Sequence, residues 1–249
     1  GDNGPAVEAH LGNPYDVSVD VQGRIVIADT RHGHVRRVEA DGMIRNVAGA
    51  AFTWDKGDGG PAVSANLISV SSVAHDPHDN IYIGDAGAGR IRRVEATTGI
   101  INTIAGTGTP GYDGDGGPAW AAKVGSPRAI RFDVQGNLYF VDQICHVIRR
   151  IAAESGIITT IAGTGAAGFS PDGTDARAAK IYEPCGLAIS GTGQIYFSDT
   201  RNSRVRRITS NGKLETVAGS VEPGDDEDCG RATDARLNEP YGLCFYGEY

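Results

Sequence analysis

The sequence of 249 residues contains no apolar run long enough to cross a membrane as a helix, so we expect no membrane insertion. Its four cysteines are too few for a disulfide scaffold, and none belongs to a CxxC pair that would indicate a metal site. A basic excess is also missing, because 23 Lys and Arg face 31 Asp and Glu, for a formal net charge of −8. We therefore expect no non-specific binding of nucleic acid, which requires a basic face.

Glycine, in contrast, is abundant. Its 36 residues are about twice the usual share, while hydrophobic residues make up 40% of the chain and recur regularly. This combination is typical of a globular fold with many short strands and tight turns, and it does not indicate disorder.

The most informative feature is an internal repeat of roughly 57 residues. Aspartates recur at spacings of 56, 57 and 57 residues, and Arg-Arg and Ala-Gly dipeptides follow the same interval. The aspartates are Asp29, Asp85, Asp142 and Asp199, and the first arginine of each pair is Arg36, Arg92, Arg149 or Arg206. So many residues in register indicate four tandem copies of one structural unit.

Each copy reads as four short strands. In the third copy, the pattern predicts strands over 128–133, 138–142 and 147–152, followed by a turn and the fourth strand within 156–162. One such antiparallel sheet cannot bury both of its faces, whereas radial stacking of several sheets can. The sequence therefore predicts an all-β fold, a β-propeller built of four-stranded antiparallel blades.

The connection between copies also repeats. It reads GDGGPA at 57–62 and 114–119, with degenerate copies at 1–6 and around 171–173. Glycine permits positive φ and proline suits the start of a short helical turn, so we interpret these aspartates as turn and cap residues.

The fourth copy shows the whole pattern best. Its residues are Pro184, Gly186, Leu187, Ala188, Gly193, Ile195, Tyr196, Asp199, Arg204, Val205, Arg206, Arg207, Ile208, Gly212, Leu214, Thr216, Val217, Ala218 and Gly219. This pattern resembles the NHL-repeat family over nearly the whole chain, and the GDGGPA linker resembles one subgroup of that family. The resemblance implies a six-bladed parent propeller.

We expect residues 1–249 to form one NHL-repeat domain with repeats at about 15–70, 71–127, 128–184 and 185–240. Residues 241–249 would begin a partial fifth copy, with a first strand over 241–245. Four blades plus a surplus strand predict an open arc that starts and stops within a propeller.

The charged residues of each copy carry the first candidate site. Asp29, Asp85, Asp142 and Asp199 could form a carboxylate ring, or they could pair with Arg36, Arg92, Arg149 and Arg206. Identical use in every copy favours structural ion pairs, because a ligand site is normally asymmetric.

A second candidate lies where each first strand begins, at the expected mouth of the channel. Tyr15, Ser71, Arg128, Cys185 and Tyr241 occupy this variable position, and Arg131 replaces a small residue three positions further along its strand. The predicted ligand-binding residues are Tyr15, Arg128, Arg131 and Tyr241. The two arginines could hold an anion, or they could form a salt bridge to a neighbouring blade.

Metal sites have weak support in the sequence. Asp225, Asp226 and Asp228 supply clustered oxygen ligands that calcium would accept, although their spacing does not match a calcium loop. Among the six histidines only His75 falls in a first strand, whereas a catalytic zinc needs three converging ligands. We expect no cofactor apart from a possible calcium ion.

Two cysteines are expected on the same face of adjacent blades. Cys145 lies in a turn of the third copy and Cys185 at the first strand of the fourth, so a disulfide between them is geometrically possible. If it forms, we expect an extracellular or lumenal location.

Regular repeats without a catalytic constellation favour a non-catalytic binding or scaffolding module inside a larger protein or assembly. Its partner would be another protein or other domains of the same parent chain. The alternative is an enzyme similar to metal-dependent lactonase or lyase propellers, with an axial site. A third hypothesis is an assembly unit whose open blade edges pair with another chain.

Overall fold

The computed structural model describes residues 1–50, 57–220, 224 and 230–245. The fold is all-β, and the strands form four antiparallel sheets, each of which contains one four-stranded propeller blade. The chain divides into two compact units, Gly1–Gly111 with Ala119–Ile130 and Tyr112–Pro118 with Arg131–Tyr249.

The first two blades each carry a two-residue strand, contributed by the linker, at one edge. Their sheet orders are β1-β5-β4-β3-β2 and β6-β10-β9-β8-β7. The strands are β1 (Gly4–Pro5), β2 (Pro14–Val19), β3 (Ile25–Asp29), β4 (His34–Val38), β5 (Met43–Ala48), β6 (Gly60–Pro61), β7 (Val70–His75), β8 (Ile81–Asp85), β9 (Arg90–Val94) and β10 (Ile100–Ala105).

The third and fourth blades are four-stranded, with orders β11-β12-β13-β14 and β15-β16-β17-β18. The strands are β11 (Pro127–Phe132), β12 (Leu138–Asp142), β13 (Val147–Ile151), β14 (Ile158–Ala162), β15 (Leu187–Ile189), β16 (Ile195–Asp199), β17 (Arg204–Ile208) and β18 (Leu214–Ala218). In the third blade the four predicted strands agree with these bounds to within two residues.

Helical structure in the described residues is limited to single 3-10 turns. They span Ala6–Glu8, Thr30–His32, Ala62–Ser64, Ala119–Ala121, Ala176–Ala178 and Thr200–Asn202. Four of them begin at the alanine that ends the linker. The proline or aspartate before this alanine favours the start of a helical turn.

In the first unit, blade 1 packs on blade 2 through branched and small side chains. Val26 and Val35 from blade 1 belong to the same buried cluster as Val73 and Ile83 from blade 2. On the opposite face of blade 1, Val17 is 58% exposed, although its repeat equivalent Val73 is fully buried. That face therefore presents apolar side chains to solvent.

Residues 241–245, predicted as the first strand of a fifth copy, form no strand among the described residues. A first strand pairs with the second strand of its own blade, and the described residues stop at Phe245. The segment nevertheless begins as a blade would: Thr200 Oγ1 donates to the Pro240 carbonyl at 2.9 Å, as Thr30 Oγ1 does to Val70 at 2.6 Å.

Candidate functional site

The first arginine of each Arg-Arg pair is buried on the third strand of its blade and meets an aspartate of the preceding linker. Each aspartate precedes its arginine by 34 residues. The Nη2–Oδ1 distances are 2.8 Å for Arg36–Asp2, 2.7 Å for Arg92–Asp58, 2.7 Å for Arg149–Asp115 and 2.9 Å for Arg206–Asp172. A buried guanidinium needs such a charged partner, so the linker aspartates hold each linker on the blade that follows it.

Sequence reasoning interpreted these linker aspartates as turn and cap residues and missed this role. The constant interval of 34 residues between the linker aspartate and the buried arginine was the signal that could have revealed it. Glycine and proline in the linker suggested instead that its residues only set the conformation of the backbone.

The strand-two aspartates lie slightly further from the same arginines. Nη1 of Arg36 is 3.6 Å from Asp29, and Nη1 of Arg206 is 3.6 Å from Asp199. Asp199 also accepts the backbone N–H of Tyr182 at 2.7 Å, so it ties the start of its blade to the end of strand two. Burial raises the pKa of the Asp199 carboxyl, although that hydrogen bond and Arg206 oppose the shift.

The variable position at the start of the first strand coincides with a β-bulge in blades 1 and 2. The register between β2 and β3 shifts between Pro14 and Asp16, and that between β7 and β8 shifts between Val70 and Ser72. Tyr15 and Ser71 are therefore the extra residues of their bulges. A bulge re-aims a side chain out of the regular ladder, which makes it a common feature beside binding sites.

Arg128 occupies the same position in the third copy and completes what we call the mouth site, defined as Tyr15, Ser71 and Arg128 of the first unit. Its guanidinium carbon lies 4.4 Å from the centre of the Tyr15 ring, a cation–π contact. Nε and Nη1 of Arg128 are buried and make no hydrogen bond with any described residue. Tyr15 is 44% exposed, so the stacked pair reaches solvent.

Hydrogen bonds across the first strands hold the mouth site in place. Ser71 Oγ lies 2.9 Å from the Gly84 carbonyl and 2.5 Å from the Pro127 carbonyl, next to Arg128. Ser72 Oγ donates to Asp16 at 2.7 Å and accepts the Ile130 N–H at 2.9 Å. The backbone on both sides of Arg128 is thus fixed by two serines of blade 2.

Two of the predicted ligand-binding residues, Tyr15 and Arg128, are in contact in the structure. The other two predicted ligand-binding residues, Arg131 and Tyr241, belong to the second compact unit. In that unit the carbonyl of Tyr241 accepts a hydrogen bond from Ser198 Oγ at 2.9 Å. A ligand-binding role for these four residues stays a prediction.

Histidines are tied to different local partners. His75 Nδ1 is 3.0 Å from Ser18 Oγ, His32 Nδ1 is 2.9 Å from Asp29, and His146 accepts the Glu183 N–H at 3.2 Å. Burial lowers the pKa of His75 and of His146. Within the residues that the structure describes, no group of three or more His, Cys, Asp or Glu side chains is arranged to hold a metal ion.

The predicted calcium ligands Asp225, Asp226 and Asp228 lie outside the described residues, as does Cys229. A calcium site there and the alternative of a metal-dependent enzyme both stay predictions.

Cys145 and Cys185 are buried, and the structure holds both as thiols. Nε2 of Gln143 donates to Cys185 Sγ at 3.2 Å. The disulfide between the two cysteines stays a prediction.

Among the described residues, no helix combines the length and the apolar character needed to span a bilayer.

Comparison with known proteins adds three informative relatives. Protein SUPPRESSOR OF QUENCHING 1, chloroplastic, from Arabidopsis thaliana is 28% identical over 212 residues, 81% of this chain and 20% of that protein. Teneurin-3 from Mus musculus is 26% identical over 94% of this chain and 10% of its own length. NHL repeat-containing protein 2 from Bos taurus is 27% identical over 64% of this chain and 22% of its own length. The chain thus spans about a fifth or less of these curated relatives. No family model matches it.

Two solved structures show the same fold. A nidogen/laminin complex contains a chain with a TM-score of 0.62 at 15% identity, covering 94% of this chain and 69% of that one. Virginiamycin B lyase from Staphylococcus aureus has a TM-score of 0.53 at 16% identity, covering 82% of this chain and 54% of that one.

The repeat register, the four-stranded blades and the similarity to NHL repeat-containing protein 2 agree with one another. They identify this chain as an NHL-repeat β-propeller.

Proposed function

We propose that this chain is a non-catalytic binding and scaffolding module whose mouth site recognises a carboxylate-bearing segment of a protein partner. Arg128 would pair with the carboxylate, and Tyr15 would both support the guanidinium and contact the partner. The partner class includes other domains of the same polypeptide, because the curated relatives are much longer than the matched region.

The observation that carries this proposal is the state of the Arg128 guanidinium. Two of its nitrogen atoms, Nε and Nη1, are buried without an acceptor among the described residues, although the charge is stacked on Tyr15 at 4.4 Å. An unsatisfied buried donor costs about 1–3 kcal/mol, and more when it is charged. A carboxylate that reached one of these donors after a small side-chain shift would recover part of that cost through a charge-assisted hydrogen bond.

The residue types also fit protein recognition. Tyrosine and arginine are enriched among the few residues that supply most of the binding energy at protein interfaces. The formal charge of −8 makes a solvent-reaching cation at this position selective, since most of the surface repels anionic segments. A chain of the same fold occurs in a nidogen/laminin complex, which supports a protein as the class of partner.

Selection of displayed peptides tests this function. Random peptides on phage are selected on the wild-type protein after depletion on the Arg128→Gln variant, and the affinity of the recovered peptides is measured by fluorescence polarisation. We expect enrichment of Asp, Glu or a free C-terminus, and an affinity loss of about tenfold in Arg128→Gln.

The matched control is Arg45→Gln, which removes an exposed guanidinium that lies 3.5 Å from Asp41. We expect the selected peptides to bind this variant as they bind the wild type. Recovery of only uncharged or basic peptides, or equal binding by Arg128→Gln, would overturn the proposal.

A further inference from the structure

Between blades 3 and 4, inside the second compact unit, lies a cavity of about 390 Å³. Blade 3 contributes Tyr139, Arg150 and Ile161, and blade 4 contributes Ile195 and Ile208. We infer that this cavity is a second binding site, for a small amphipathic carboxylate whose apolar body lies on the isoleucines and whose carboxylate meets the arginines. Its volume is within the usual range for small-molecule sites.

The cavity exists because one cross-strand pair is not fully covered. Ile195 and Ile208 are paired between β16 and β17 and remain only half-buried. The same pair in blade 3, Leu138 and Ile151, is 4% and 8% exposed. In blade 2 the pair, Ile81 and Val94, is likewise covered, at 6% and 5% exposed, whereas in blade 1 Ile25 is 44% exposed. The half-buried apolar floor is therefore not a feature of every blade.

The rim of the cavity carries an arginine that the other copies lack. Arg177 follows the linker alanine Ala176, at a position where the two preceding copies carry Val63 and Trp120. Its guanidinium is exposed and makes no hydrogen bond or ion pair with the described residues. The repeat thus places an available cation beside apolar surface at this one blade.

The charges around the cavity favour an anion. Arg150 and Arg177 are both lining residues, and Arg150 donates to Asn137 at 2.7 Å without an ion pair. The one lining carboxylate, Asp175, lies 3.7 Å from Lys213 Nζ and caps the Arg177 N–H at 3.1 Å. Both lining arginines are therefore left without an ion pair among the described residues, and an apolar ligand with a carboxylate complements both parts of the site.

The wall provided by Tyr139 completes this selectivity. Its hydroxyl group donates to Asp133 at 3.0 Å, so the ring presents its apolar part to the cavity and leaves no free hydroxyl for a polar ligand. A sugar or other polyhydroxylated molecule would find few hydrogen-bond partners there. This inference is independent of the mouth site, which lies in the other unit.

Octanoate is a suitable probe, with octan-1-ol and octylamine as controls of equal chain length and different charge. Protein with ¹³C-labelled isoleucine methyl groups is titrated and followed by NMR. We expect octanoate to shift the methyl signals of Ile161, Ile195 and Ile208, while the fully buried Ile101 of blade 2 stays unchanged. We expect octan-1-ol to bind at least tenfold more weakly and octylamine not to bind.

Two variants separate charge from shape. Arg177→Gln should weaken octanoate binding about tenfold without affecting octan-1-ol, and Ile195→Phe should fill the cavity and abolish both. Arg45→Gln is the matched charge control and should bind as the wild type. The inference is overturned if the three isoleucines do not respond to octanoate, if octylamine binds as well as octanoate, or if Arg177→Gln has no effect.

Discussion

Asp115 and Arg149 are joined across 34 residues by a contact of 2.7 Å between Oδ1 and Nη2, and the arginine has no exposed surface. Asp115 lies in the linker that precedes blade 3, and Arg149 lies on the third strand of that blade. Oδ2 of Asp115 also accepts the Thr160 N–H from the fourth strand at 2.7 Å. The linker is thus part of the blade that follows it. Each repeat supplies its own ion pair between the linker aspartate and the buried arginine of the third strand, which we call the clasp.

Asp115→Asn tests this clasp. The variant keeps the shape and one acceptor but removes the negative charge that Asp115 places 2.7 Å from the buried Arg149, so we expect a loss of about 2 kcal/mol in the free energy of unfolding. Urea denaturation followed by circular dichroism measures it. Glu154→Gln, an exposed substitution in the same unit, is the control and should change stability little. Equal stability of the two variants would contradict the role of the clasp.

The glycine of the Ala-Gly dipeptide is required for close approach of two strands. Gly163 has a φ of +94°, and a Cβ there would collide with the carbonyl oxygen of His146. Gly156 has a φ of +65° with open space around it. We expect Gly156→Ala to cost about 1 kcal/mol from backbone strain alone, and Gly163→Ala to cost at least twice as much. Similar losses in thermal denaturation would argue against the steric explanation.

The turn between the first and second strands of blade 3 predicts acid sensitivity. Burial by itself would raise the pKa of Asp133, but hydrogen bonds from Asn137, Tyr139 and Gln135 stabilise the carboxylate and bring its pKa below the ordinary value of 3.8. A depressed folded-state pKa stabilises the fold above about pH 4, and this contribution is lost as the pH falls through the folded pKa. We expect Asp133→Asn to be less stable than the wild type at pH 7.

The difference in stability between Asp133→Asn and the wild type should then narrow as the pH falls from about 4 through the folded-state pKa, because the wild-type carboxylate becomes protonated. Urea midpoints measured from pH 7 to pH 3 give this comparison, with Glu154→Gln as the control. A difference in stability that stays constant over this pH range would show that the carboxylate charge is not what stabilises the turn.

Among the three cysteines that the structure describes, chemical labelling distinguishes the two buried thiols from the exposed one. Because Cys145 and Cys185 are buried and Cys244 is exposed, we expect iodoacetamide to label Cys244 rapidly and the other two only after unfolding. Peptide mapping by mass spectrometry identifies the labelled residues. Fast labelling of Cys145 in the native protein would contradict the packing, and a cross-linked Cys145–Cys185 peptide would establish the disulfide.

Much of the fold could be predicted from the sequence, because strand periodicity and turn residues act locally. Strand β12 was predicted with its bounds, Leu138–Asp142, and the buried arginines were expected to pair with carboxylates. Their closest partners in the linkers were missed, since glycine and proline there suggested only turn chemistry.

The candidate sites were less accessible to sequence reasoning. The variable position of the first strand indicated Tyr15 and Arg128, but only coordinates show that they stack and that two donors lack acceptors. The cavity beside blade 4 depends on how far Ile195 and Ile208 are covered by neighbouring side chains. This coverage is set by packing between blades, which the periodicity of the sequence does not predict.

The proposed function depends on the Arg128 guanidinium, and its Nε–Hε resonance in a ¹H–¹⁵N spectrum reports on it directly. A peptide recovered by the phage selection is titrated into the ¹⁵N-labelled protein, with Arg128→Gln used to assign the signal. We predict that the Arg128 Nε–Hε signal moves downfield and exchanges more slowly with water as the carboxylate binds. A bound peptide that leaves this signal unchanged while it shifts resonances elsewhere would contradict recognition at the mouth site.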